Sequence, residues 1–120
     1  MLELINGFPD DVVAITAIGE VTDEDYEAVL DPAIDAARAT HDKIRLLYLL
    51  GEEFTGYDAE AMWEDTKLGL RTFTSYDRIA VITDATWMRR AVAAFGWMIP
   101  GEVRVFHVSA LDAARTWITG

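Results

Sequence analysis

Cysteine is absent from the 120 residues, which removes disulfides, zinc–thiolate sites, iron–sulfur clusters and thiol nucleophiles together. Serine is nearly absent too: only Ser75 and Ser109 occur, and neither sits in a Gly-x-Ser-x-Gly elbow. The two histidines, His41 and His107, lie 66 positions apart and have no ligand-spaced partner. His41 falls where the first helical region should end, and His107 should alternate with Val103 and Val105 on a strand. The glycines form neither a phosphate-cradling loop nor a dinucleotide fingerprint, since Gly51 and Gly56 lead to no Lys-Ser/Thr pair. Acyl transfer and nucleotide binding therefore have little support, and no cofactor is expected. No apolar run approaches the ~18–20 residues that a membrane helix needs. The opening residues, Met1 to Ile5, lack the basic region and long apolar stretch of a secretory signal. The cytoplasm is the expected compartment, with peripheral membrane contact as the one extension.

Positive charge is scarce as well. The formal net charge of −11 argues against nucleic acid, because phosphate contacts need a basic face. The charge is also uneven. Residues 1–65 hold 17 of the 21 acids and 3 of the 10 Lys/Arg, a net −14, whereas residues 66–120 are net +3. Such a bipolar chain can steer a partner, or another copy of itself, by its field. The plainer account is that the first half carries more solvated helix surface.

What is present is apolar: 52% of the residues are hydrophobic, a globular balance, and one domain over residues 1–120 is expected. Strands are expected at 2–6 and 12–19, joined by the turn-forming run Gly7-Phe8-Pro9-Asp10-Asp11. Thr22 should open a helix, with Asp25 at the reciprocal capping-box position and Val21 and Tyr26 spaced as a hydrophobic staple. Pro32 lies inside the periodic pattern that follows, so a kink at Asp31-Pro32, or two short helices, is expected. Residues 44–50 read as a strand covered on both faces, and 51–57 as a loop. Asp58 should cap a second helix carrying Trp63 and Lys67. A strand at 79–83 leads to a third helix begun by Asp84 or Thr86, which runs to about Met98 and stops at Pro100-Gly101. A last strand at 102–108 precedes a helix boxed by Ser109 and Asp112. The order β-β-α-β-α-β-α-β-α calls for an α/β fold, a mixed sheet of about five strands flanked by about four helices.

That order, with its residues, resembles the SpoIIAA-like family, relatives of the STAS domains. The likeness runs over essentially the whole chain and is carried by four pieces. They are Thr16-Ala-Ile-Gly-Glu-Val-Thr22 leading into Asp25-Tyr26; Ala61-Met-Trp63-Glu-Asp65-Thr-Lys67-Leu-Gly69; Arg78-Ile-Ala-Val-Ile-Thr-Asp84 followed by Trp87; and Gly101-Glu-Val-Arg-Val-Phe106. The resemblance implies the fold, an intracellular role and no established chemistry. It also suggests a link to the CRAL-TRIO lipid carriers, which hold apolar ligands. The chain departs from the family's pattern twice. Where an anti-sigma-factor antagonist has its phosphorylatable serine, this chain has Phe54-Thr55-Gly56-Tyr57-Asp58. Where the family often has a histidine after the second helix's Lys-x-Gly, it has Thr72.

Three groups of residues remain as candidate sites. Glu52, Glu53 and Asp84 follow strand ends, where open α/β sheets bind ligands, and three carboxylates can hold magnesium; helix capping by Asp84 is the plainer alternative. Lys67, near Trp63, could meet an anionic head group, or form a surface ion pair with Glu64. The third helix carries the strongest signal. Met88, Ala91, Val92, Phe95 and Ile99 already make a core-facing stripe, yet Trp87, Ala94, Trp97 and Met98 extend the apolar arc beyond it, with Arg89 and Arg90 alongside. Phe54, Tyr57 and Phe73 add aromatics near the same end. The leading expectation is a non-enzymatic module that binds an apolar small molecule, a lipid, a membrane surface or a second copy through Phe54, Tyr57, Trp63, Lys67, Asp84, Trp87, Arg90 and Trp97. The alternatives are a STAS-type regulator of a protein partner without the serine switch, and an enzyme built on Asp84, Lys67 and Glu52.

Overall fold

The computed structural model describes residues 1–57, 75–98 and 100–120. The expected second helix with Trp63 and Lys67, Phe73, Ile99, and the side chains of Tyr57, Phe95 and Met98 lie outside the described residues. Five strands form one sheet in sequence order: β1 (Leu2–Leu4), β2 (Val12–Val21), β3 (Ile44–Tyr57), β4 (Tyr76–Thr83) and β5 (Glu102–Phe106). β1 runs antiparallel to β2, and every later neighbour is parallel. The mixed sheet with an antiparallel opening edge is as the residue pattern requires. At Gly7, in the turn joining β1 to β2, φ is +94°, a backbone shape that side chains with a Cβ resist.

Residues 23–40 form a helical run, α1, made of Asp23–Asp25, a wide π turn Tyr26–Leu30 and the α-helix Asp31–Thr40. Both halves of the expected capping box exist: Asp25 N–H donates to Thr22 Oγ1 at 3.4 Å, and Thr22 N–H donates to Asp25 Oδ2 at 2.8 Å. Val21 and Tyr26 are fully buried. The expected break at Pro32 takes the form of the π turn just ahead of it, where Asp31 N–H reaches back to Tyr26 O. A proline lacks the donor and crowds the preceding turn, and a widened turn relieves both.

Two expectations about strand lengths fail in opposite directions. Residues 51–57 are not a loop; β3 continues through them, pairing with the second half of β2 at Gly19↔Phe54 and Val21↔Tyr57 after a register shift. Backbone pairing at a sheet's rim needs no apolar side chains, so the polar run Gly51-Glu52-Glu53 hid it. β5 stops at Phe106, short of the expected 108, because a 3-10 turn Val108–Ala110 intervenes before the last helix, α3 (Leu111–Thr119). That turn moves the N-cap to Ala110, which makes no side-chain cap bond, so the box expected from Ser109 does not form. The remaining helix, α2 (Thr86–Phe95), continues into the 3-10 turn Gly96–Met98.

Sequential parallel strands with right-handed crossovers place their connecting helices on one face of the sheet. Tyr26, Leu30 and Ile34 of α1 accordingly pack on Val13, Ile15, Leu46 and Tyr48, and Met88 of α2 joins the same cluster. α3 covers the other face, where Ala114 and Ile118 meet Ala14, Leu47, Ala80 and Ile82. β2 and β3 are thus buried on both sides. Among the described residues no helix is long and apolar enough to cross a membrane.

Candidate functional site

α2 joins β4 to β5 and buries only part of its circumference. Met88 is half-buried against the sheet, and Val92 packs near Val103 of β5 at the level of Gly96. The opposite arc, Thr86, Trp87, Arg90, Ala93, Ala94 and Trp97, faces solvent at helical spacing. Trp87 is 54% exposed and Trp97 79%. The Trp97 ring nitrogen donates to Ala94 O at 2.9 Å, so the indole's one polar atom is satisfied by its own helix end and the ring offers only carbon to its surroundings. The two arginines differ. Arg89 turns inward, its Nη1 donating to Thr83 O at 3.4 Å, whereas Arg90 is exposed and has no ion pair among the described residues. No acid occurs between Ala85 and Gly101, so this arc is apolar with a single bare cation in a strongly acidic protein.

Beside the start of α2, the second half of β3, the end of β4 and the turn after β5 frame a small crevice of about 90 Å³. Glu52, Phe54 and Asp84 line it together with Thr83, Ala85 and Val108; Glu53 does not. Asp84 was expected to cap α2, or to join Glu52 and Glu53 around a metal. Its carboxylate instead crosses to the end of β5. There Oδ1 accepts the Val108 N–H at 3.1 Å and lies 3.1 Å from His107 Nδ1. The α2 N-cap is Ala85, whose N–H donates to Thr83 Oγ1 at 3.1 Å. The Val108 N–H, then the His107 ring, hold the Asp84 carboxyl below its ordinary value. Among the described residues no three carboxylates or imidazoles stand close enough to hold a metal ion.

The Asp84–His107 pair escaped sequence reasoning, which placed His107 within a strand. Strand register would have found it. Ile82 pairs with Phe106, so the residues just past the two strand ends meet. Phe54, also expected near the arc, is half-buried on the α1 face of the sheet, while Tyr57 closes β3 opposite Val21. Most of the described bases of the second half prove to be committed elsewhere. Arg78 and Arg104 lie 5.4 and 5.1 Å from the Trp117 ring centre, and Arg115 lies over Phe8. Arg45 and Arg78 also donate to the Ile118, Trp117 and Gly120 carbonyls at the end of α3, between 2.7 and 3.3 Å. With these cations holding α3, Arg90 on α2 stands out as a charge with no internal task.

A family model described as SpoIIAA-like matches residues 12–119. A crystal structure of an uncharacterised protein with a SpoIIAA-like fold from Shewanella loihica PV-4 is similar to the chain, with a TM-score of 0.78 and 28% identity. The match covers 98% of this chain and 92% of that one. No curated protein matches.

Proposed function

The chain belongs to the SpoIIAA-like family, and on that premise we propose that it is a non-enzymatic binding module that docks through α2 on an apolar, lipid-like surface, the bilayer interface first among them. The observation that carries the reading is the exposure of Trp87 and Trp97 on a helix face that holds Arg90 and no acid. Indoles sit well at the boundary between headgroups and acyl chains, where a neighbouring arginine meets phosphate. An enclosed small molecule is a poorer fit. The crevice beside α2 offers about 90 Å³, against the roughly 300 Å³ or more of ordinary ligand pockets. The reading is therefore one of surface docking.

Vesicle flotation tests it. The protein should float with phosphatidylcholine vesicles containing an anionic lipid, and Trp87→Ala/Trp97→Ala should lower the bound fraction about tenfold or more, since each indole contributes on the order of a kcal/mol or two. Arg90→Glu should weaken binding to anionic vesicles more than to neutral ones. Equal flotation of the double variant, or no flotation by the unaltered protein, would overturn the reading.

A further inference from the structure

Beyond the two tryptophans, Leu4 is a large apolar strand side chain that stands exposed, at 53%, the one such among the strand side chains described. It lies on β1, at the edge of the sheet opposite β5. Two shallow depressions, of about 380 and 490 Å³, flank it and share Leu4 and Ala33 in their walls. Together they make a groove between β1 and α1. Its floor on the helix side is Ala28, Pro32 and Ala36, four residues apart on one line and all exposed. Small side chains there leave room for large ones from outside. β1 is also an open edge. Ile5 N–H donates to Ala14 O and Ile18 N–H to Met1 O, so antiparallel alternation turns the backbone groups of Leu2 and Leu4 away from β2.

The rim of this groove is acidic. Glu3 and Asp10 line the two depressions, Glu24 and Glu27 are exposed on α1 within the turn before Ala28, and none of the four has an ion pair among the described residues. The α2 ridge is its complement in both respects: two protruding indoles and a bare arginine, with no acid. The exposed large apolar side chains of the described residues thus fall into two patches, one at the β1 edge and one on α2. They carry opposite charge surroundings and lie toward opposite edges of the sheet, so one copy cannot close them on itself.

We propose that the acid-rimmed groove between β1 and α1 of one copy receives the α2 ridge of another, so that head-to-tail self-association and docking on an apolar surface compete for the same indoles. The proposal rests on the docking role of α2 given above and supplies its regulation. Joining unlike patches makes a heterologous contact that does not stop at two copies. A ridge on one ten-residue helix and the turn that continues it, roughly 20 Å long, buries less than a standard interface, so the association is weak and depends on concentration. Salt weakens it by screening Arg90 from the glutamates.

Sedimentation velocity on the full chain should show an average mass that rises with concentration past twice the protomer and falls with added salt. Leu4→Arg, which blocks the groove, and Trp97→Glu, which blocks the ridge, should each be monomeric alone. Mixed in equal amounts they should form a dimer that grows no further, because only one good groove and one good ridge remain. Leu4→Arg should still float with vesicles, and at high protein concentration it should float better than the unaltered protein; Trp97→Glu should lose both behaviours. Glu27→Lys, an exposed change on α1, serves for Leu4→Arg if that variant fails to fold. A protein that stays monomeric at all concentrations, a dimer that stops at two without mixing, or no pairing in the mixture would overturn the proposal. Flotation that persists with any of these leaves α2 docking intact; its loss overturns both.

Discussion

Asp84 shows how a single side chain can be read correctly as important and wrongly as to partner. A carboxylate just before a helix ordinarily caps it, but here the Val108 N–H and the His107 ring compete successfully for it. Both partners favour the charged form, so its folded value lies below the ordinary 3.8. A depressed carboxylate contributes stability that is fully present above its unfolded value and is lost as pH falls through the folded one. Asp84→Asn should therefore lower stability at neutral pH, where the charged form's contribution is fully present, and converge with the unaltered protein as pH falls below about 4, as urea titrations across pH will show. A second contrast belongs to this scale. Trp97 is already mostly in water, so Trp97→Ala should change stability by less than about 0.5 kcal/mol, whereas Ile34→Ala, at a fully buried position, should cost about 2–5 kcal/mol. Equal losses would mean that the exposed indole is part of the fold.

Elements differ in how far local chemistry controls them. The start of α1 is set by adjacent residues: Thr22, Asp25, Val21 and Tyr26 satisfy each other within one turn. Thr22→Ala should cost about 1 kcal/mol in thermal or urea unfolding, with the loss of protection from hydrogen exchange concentrated at the start of α1. The rim of β3 and the start of α3 follow no such local rule. Residues 51–57 join the sheet because β2 supplies donors and acceptors at the right height, and Ser109 loses its capping role because a 3-10 turn shifts the helix start by one residue. The end of α3 is satisfied by Arg45 and Arg78 from the strands beneath, residues that no local pattern connects with it.

At the scale of the molecule, charge and apolar surface are arranged together. Among the described acids of the first half, Glu3 lies on β1 and Asp23, Glu24, Asp25, Glu27, Asp31 and Asp35 lie on α1, while Arg78 and Arg104 hold α3 by cation–π contacts and Arg78 also by carbonyl bonds. One arginine is left on the face that carries the bare indoles. The proposed vesicle docking and head-to-tail association both draw on that arrangement, and the salt dependence of each would report how much of it is electrostatic.

Periodicity and turn chemistry were enough to determine the order of the described elements, the parallel sheet with its antiparallel edge, the capping of α1 and the excess apolar arc on α2, because these depend on spacing between near neighbours. The arc's exposure, the meeting of Asp84 with His107, the commitment of Arg78 and Arg104 to Trp117 and the groove beside Leu4 were decided only by the folded chain. Each depends on strand register and on which helix covers which face, and those bring together residues from distant parts of the chain.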